Sequence, residues 1–362
     1  MKLAVSKIEN PGFGKLNLEA TKRKAGAFAT AFFFCWIWTL SCFGQIRLLQ
    51  SQTNASFRGL SVVDDSVAWV SGSQGTVLRT VNGGKTWQSV QVPGFEKADF
   101  RTLYAFDSLN ALIGNAGSPA VLLRTSDKGK TWTEVYRNAH PDAFLDGVDF
   151  WNGKQGMVYG DPINQHLLIL KTSDAGRTWL ELPENDRPKL DSGEASFAAS
   201  GTNIRTWDKT KVLIATGGKV SRLWFSENSG RSWKAIPVPM LQGKASQGIF
   251  SVSAANKIWV AVGGDYLADT LRERHVWVSE DEGKSWRLPE NPTRGYRECV
   301  EFITENEWLA TGPTGTERSL DAGKTWTPVS DERGFHVLRK ARRGSLILFA
   351  GGKGKLARFD KN

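Results

Sequence analysis

Three arginines, Arg58, Arg101 and Arg297, each open an apolar, strand-like run in well-separated parts of the chain. Guanidinium groups converging from separate segments would hold a carboxylate or another planar anion through paired N–H donors. Asp146, Glu194, Gln247, Glu298 and His336 stand at comparable run starts. Two carboxyl groups roughly 5–9 Å apart are the machinery of glycoside hydrolysis, so Asp146 and Glu194 form a candidate acid pair. Asp161 in GDPINQH, Lys353, and the 263–274 stretch GGDYLADTLRER add further groups. That stretch carries Asp265, Tyr266, Asp269, Arg272 and Arg274.

Other chemistries have little material. Four His and three Cys leave no zinc framework. Cys299 sits in RECVEF, where strand alternation points to a buried structural thiol rather than a nucleophile. The GGKGK at Gly351 lacks the spacing of a phosphate loop and reads as a turn between strands. Helical heptads and dinucleotide fingerprints are absent from the sequence. No cofactor and no metal is expected.

The elements that must position these groups are announced by a repeat. One phrase, Ser/Thr-x-Asp/Asn-x-Gly-x-Ser/Thr-Trp, occurs six times, with its Asp/Asn at Asn82, Asp127, Asp174, Asn228, Asp281 and Asp321. A period of this length signals a propeller or solenoid. The Asp/Asn side chain closes a turn on backbone amides. The Gly supplies a positive φ. The Trp offers an apolar plate for packing between sheets, which accounts for six of the 15 Trp. These six acidic or amide residues are therefore structural. One carboxylate per isolated hairpin is too few ligands for calcium.

The phrase is the Asp-box, or BNR repeat, of sialidase-like propellers. Between boxes, a stretch such as FRGLSVVDDSVAWVSGSQGTVLRTVNGGKTWQSV, from Phe57 to Val90, alternates at period two with Gly, Asn and Asp at its turns. Each unit reads as a four-stranded antiparallel meander. Further units open near Phe100, Phe144, Glu194, Gln247, Tyr296 and Phe335. The seventh has three strands and no box, while QIRLLQS, residues 45–51, is left over as an outer strand. The expectation is an all-β, seven-bladed β-propeller over residues 45–362, its ring closed by the N-terminal strand. Blade openings, blade count and N-terminal segment together resemble the photosystem II stability/assembly factor-like branch of Asp-box propellers. That resemblance implies an exported binding protein. Some relatives are called oxidoreductases, and no cofactor motif here supports that.

Propeller geometry brings the starts of the innermost strands to one face. The expected ligand-binding face gathers Arg58, Arg101, Asp146, Asp161, Glu194, Asp265, Tyr266, Arg272 and Arg297. Three cations there would make a positive patch for an acidic protein segment or an anionic glycan, most simply an envelope partner. Alternatively, the charges neutralise one another around a water-filled axial channel. The competing class is a sialidase-like glycoside hydrolase. Against it, Phe57-Arg58-Gly59-Leu60 stands where such enzymes carry Arg-Ile-Pro, and no Tyr–Glu pair is evident.

Residues 22–24 are Lys-Arg-Lys, and residues 25–44 carry no charge. A basic stretch before an apolar core describes a secretory signal, with cleavage after Gly44 and Gln45 as the new N-terminus. The protein is thus expected in the periplasm or outside the cell. Lipidation of Cys42 and an uncleaved anchor are disfavoured, and membrane contact is expected only through this segment. Loss of 1–44 removes six Lys/Arg and two Asp/Glu, leaving a net charge near +6. Lys and Arg are scattered, so nucleic acid is not expected as a partner. The cluster Arg339, Lys340, Arg342, Arg343 reads as a solvated hairpin turn. A monomer is favoured.

Overall fold

The computed structural model describes residues 45–330 and 332–361, and the expectation of a cleaved signal in 1–44 lies outside them. Period-two alternation and well-placed turn residues produce seven antiparallel sheets, the blades of a β-propeller. The innermost strands are Phe57–Val62, Phe100–Ala105, Leu145–Phe150, Ile204–Trp207, Gln247–Ala255, Cys299–Phe302 and Phe335–Lys340. Each packs against the next around a closed ring. Blade 5 shortens its fourth strand to a single ladder pair, Val278 with Arg287.

Every outer hairpin that joins strand three to strand four carries the repeated phrase. In blade 2 the Thr125 hydroxyl donates to Asp127 Oδ1 at 2.9 Å and accepts the Gly129 N–H at 2.9 Å. Asp127 also accepts the Thr131 N–H at 2.9 Å and its hydroxyl at 2.7 Å. Boxes 1 and 4 use amides instead: Asn82 and Asn228 donate through Nδ2 to Thr86 and Ser232. Gly129 has φ +83°, and a Cβ there would lie 2.2 Å from Val90 Cγ1 of the preceding blade. Both backbone and space therefore require glycine. The closing Trp of each box packs into the apolar cluster between its own blade and the preceding one.

The ring closes through Gln45–Leu49, which pairs antiparallel with Leu356–Asp360 as the outer strand of blade 7. The ladder is reinforced where Ser51 Oγ donates to the Gly354 carbonyl at 2.6 Å and the Gly354 N–H bonds the Ala55 carbonyl at 2.7 Å.

Blade 4 departs from the sequence reading. Glu194 does not open its innermost strand, which starts at Ile204. Glu194–Ala195 is a two-residue strand paired with Gly217–Gly218, which in turn touches blade 5 at Gly248. The residues that follow, Ala198-Ala199-Ser200-Gly201, are too small to fill a blade interior. They run instead into the axis. Ala199 accepts from Arg58 of blade 1, Ser200 donates to the Glu298 carbonyl of blade 6, and Gly201 accepts from Arg339 of blade 7. Thr202 bonds Ser251 of blade 5. A segment that touches so many blades fills the centre, so no open water-filled channel runs between the two faces.

The basic cluster also differs from a solvated turn. Lys340 Nζ donates to the Ile303 carbonyl, and Arg342 lies 4.3 Å over the Tyr104 ring while donating to Ser61. With Arg205 and Glu301 these side chains line a second, smaller cavity of about 260 Å³ on the opposite face. Arg339 and Lys340 are half-buried, whereas Arg342 and Arg343, in the turn itself, are exposed.

Two outcomes test this architecture. A chain beginning at Phe57 bares the edge of Leu356–Asp360 and should melt markedly lower or aggregate; an unchanged melting temperature would rule out the closure. For the boxes, the Thr131 N–H and hydroxyl hold Asp127 at about 2, and the Ser285 hydroxyl and N–H hold Asp281 at about 2. Asp174 is also at about 2, because hydrogen bonds from Thr178 outweigh the upward push of burial. Folded pKa values below the unfolded 3.8 mean stability that is complete above about pH 4 and lost as pH falls through about 2. Asp174→Asn should mimic boxes 1 and 4, holding stability at neutral pH and flattening part of the acid limb. Asp321→Ala should cost about 1–2 kcal/mol in denaturant unfolding through lost turn hydrogen bonds.

Candidate functional site

The working face is built by a recurring defect in the inner strands. Register shifts fall at Phe57/Gly59, Phe100/Thr102, Leu145/Gly147, Ile249/Ser251 and Phe335/Val337. The residue skipped by the ladder is Arg58, Arg101, Asp146, Phe250 or His336. A bulge re-aims a side chain, and here five blades send one toward the same mouth.

Four of these five line a cavity of about 470 Å³, with Asp161, Phe197, Tyr266, Tyr296 and Glu298. Phe197 stacks on Phe250 at 3.9 Å between ring centroids, and Tyr296 meets Phe250 edge-on at 4.7 Å. The filled axis closes the floor through Ser196–Ala199. On the rim, Tyr266, Leu267 and Leu271 are exposed.

The charges are mostly matched. Arg58 donates to the Ala199 carbonyl at 2.8 Å and lies 3.5 Å from Glu298. Arg101 pairs with Asp99 at 2.7 Å. Glu298 also lies 2.6 Å from His336 Nδ1 and accepts the Tyr296 hydroxyl at 3.3 Å. Burial pushes the Tyr296 phenol well above its ordinary range, and the Glu298 charge adds to this. Asp146 differs. It is fully buried, and neither carboxyl oxygen has a partner among the described residues. Burial raises its pKa well above the usual carboxylate value, Asp161 raises it further, and Arg101 partly opposes. Asp161 is raised by burial too, although its Oδ1 accepts the Ser196 N–H at 3.0 Å.

Of the residues expected on this face, Arg58, Arg101, Asp146, Asp161 and Tyr266 come together. Arg297 does not. It is fully buried and forms a two-point ion pair with Glu317 at 2.6 and 2.5 Å, with further bonds to the Tyr296 carbonyl and Thr314. The three-cation patch therefore does not form, because the Arg297 side chain turns into blade 6. Glu194 is likewise internal, held by Thr216, Trp224 and Arg222. Asp265 is buried against Gln247 and the Leu267 N–H, and Arg272 is exposed on the 263–274 loop. Sequence reasoning missed the aromatic wall and the Tyr296–Glu298 pair. Cys299 is buried as expected, with burial pushing its thiol up to about 12. Among the described residues no group of three or more His, Cys, Asp or Glu is placed to hold a metal ion, and no helix is long and apolar enough to cross a membrane.

Residues 43–142 match the family described as photosynthesis system II assembly factor YCF48. The chain resembles the photosystem II assembly factor-like propellers. YCF48 bound to a D1 peptide superposes with a TM-score of 0.64 at 16% identity, over 88% of this chain and 97% of that one. YCF48 from Cyanidioschyzon merolae gives 0.64 at 16% identity, over 87% and 98%. A GH74 xyloglucanase from Xanthomonas campestris is more distant, at 0.54 and 15% identity, over 85% of this chain and 59% of that one. At such identities these likenesses concern the fold. No curated protein sequence matches the chain.

Arg297→Ala is a direct check on its internal role. It leaves Glu317 buried with only Arg294 opposite it, so unfolding free energy should fall by about 3 kcal/mol. Ligand binding by the folded protein should not change.

Proposed function

We propose that this protein is an exported, non-catalytic scaffold that docks a peptide segment of a partner protein in the closed cup at one mouth of the propeller. The observation that carries the reading is the cup itself: about 470 Å³, floored by Ser196–Ala199 and walled by Phe197, Phe250 and Tyr296. Tyr266, which lines it, and Leu267 and Leu271 on the same loop are exposed, and apolar side chains at the mouth of a cavity suit a protein segment. The likeness to YCF48, solved with a D1 peptide, supports a peptide as the class of ligand. Export rests on the basic and then apolar run of residues 22–44, and an envelope protein is the partner that follows from it. An anionic glycan loses its main argument once Arg297 is internal.

One observation favours a hydrolase instead. Tyr296, Glu298 and the buried Asp146 share the cavity, and a phenol beside a carboxylate with a carboxyl of raised pKa nearby resembles glycosidase machinery. Two features weigh against it. The carboxylate of Glu298 is already engaged by Arg58 and His336, and the Tyr296 phenol is driven away from ionisation.

The test is affinity capture from the native envelope with the full chain and with Tyr266→Ala/Leu267→Asp. Loss of the captured protein, on the order of tenfold or more, is expected for the rim variant at an unchanged melting temperature. Equal capture by both would sink the docking reading. Turnover of chromogenic glycosides that disappears in Asp146→Asn would establish the hydrolase.

A further inference from the structure

Among the described residues, Asp146 is the carboxyl of the cup that has no hydrogen-bond partner at either oxygen. It occupies the bulge position of blade 3, is completely buried, lines the cavity, and has both oxygens unpartnered among the described residues. Buried polar atoms in folded proteins are nearly always hydrogen-bonded, so an orphaned carboxyl that lines a cavity marks a place for a missing donor. The cavity's own cations do not supply it. Arg101 donates to Asp99, and Arg58 to the Ala199 carbonyl and Glu298. The neighbouring Asp161 receives a single backbone N–H, from Ser196. What the floor offers is spare acceptor capacity, and what the walls offer is aromatic surface.

Building on the peptide-docking reading, we propose that this floor binds the cationic tip of a lysine or arginine side chain, held between the carboxyl groups of Asp146 and Asp161. The ammonium or guanidinium brings several N–H donors, enough for the remaining capacity of Asp161 and, once the Asp146 side chain turns toward the cavity, for its two oxygens, which are closed to solvent in the empty cup. Its methylene stem lies along Phe197 and Tyr266, where a long charged side chain buries its apolar part, and the ring faces add attraction for the charge. Arg58 and Arg101 each already face a carboxylate, Glu298 and Asp99, which offsets their pull on an anionic tip.

The groups facing Asp146 are Asp161, Arg101 and the Tyr159 phenol. In the empty cup, burial disfavours the charged form of Asp146. A cation entering beside it favours the carboxylate, so binding releases a proton to solvent. Affinity therefore rises as pH rises toward and past the carboxyl's own raised pKa.

The experiment titrates the protein with N-acetyl-lysine methylamide, its neutral isostere N-acetyl-norleucine methylamide, and N-acetyl-glutamate methylamide, by calorimetry in buffers of different ionisation heat. The lysine probe is expected to bind on the order of tenfold tighter than the norleucine probe, with a buffer-dependent heat that reports proton release. Asp146→Asn and Asp161→Asn should each erase that preference while the melting temperature holds. Because the comparison of probes is made on the wild-type protein, it stands even if a variant folds poorly. Equal binding of lysine and norleucine, tighter binding of glutamate, or no binding of the lysine probe would each overturn the inference. Failure here with capture of a partner intact leaves the docking reading standing. A lysine probe that binds while the rim variant captures its partner unchanged removes the docking reading and leaves the cation site.

Discussion

Six of the seven blades hang on one hydroxyl each. The first Ser or Thr of every box accepts the glycine N–H and donates to the Asp or Asn side chain, as Ser319 does to Gly323 and Asp321. That single group fixes the outer hairpin, and the hairpin fixes where the closing Trp enters the junction with the preceding blade. The junction clusters in turn set how neighbouring inner strands lean on one another around the ring. A rigid ring is what allows side chains from six separate blades to meet in one cavity. The box residues lie far from that cavity, yet its geometry depends on them.

Stability and binding capacity are separated within this frame. Inside the blades a buried charge is paired where it matters most, as in the two-point pair of Arg297 with Glu317, where a broken partner would strand a buried charge. Charges at the cup are less completely matched, and Asp146 is not matched at all. Proteins tolerate such a deficit where a ligand completes the set. The bulges provide the means. Each takes one residue out of the ladder without disturbing the strand that follows, so the cup can vary while the sheets stay intact.

Much of the fold was legible in the sequence because its determinants are local. Box spacing marked six blades, and the box-less seventh repeat with the left-over QIRLLQS supplied the seventh and the closure. The site was less legible for two physical reasons. Blade 4 was misread because its unit was opened near Glu194, whereas the run Ala198-Ala199-Ser200-Gly201 is shaped for the axis and the inner strand starts only at Ile204. Arg297 was misassigned because blade 6 places two charged residues, Arg297 and Glu298, where other blades place one, and only packing decides which turns inward. The bulges themselves leave a trace. In Phe57-Arg58-Gly59-Leu60, Phe100-Arg101-Thr102-Leu103 and Phe335-His336-Val337-Leu338, apolar residues stand three apart, which breaks strict alternation at the residue that points to the cup. The Phe197–Phe250 stack had no such signature, since its partners come from different blades.

The segment from Ala199 to Thr202 has a topological consequence. With the axis filled, nothing can thread from one face of the ring to the other. A ligand at the cup must leave by the path on which it arrived, so entry and exit share one opening and one set of rim contacts. A long polymer cannot pass through this propeller. It would be held by a terminus or by a single protruding side chain, with the rest of its length remaining in solvent and free to engage other proteins at the same time.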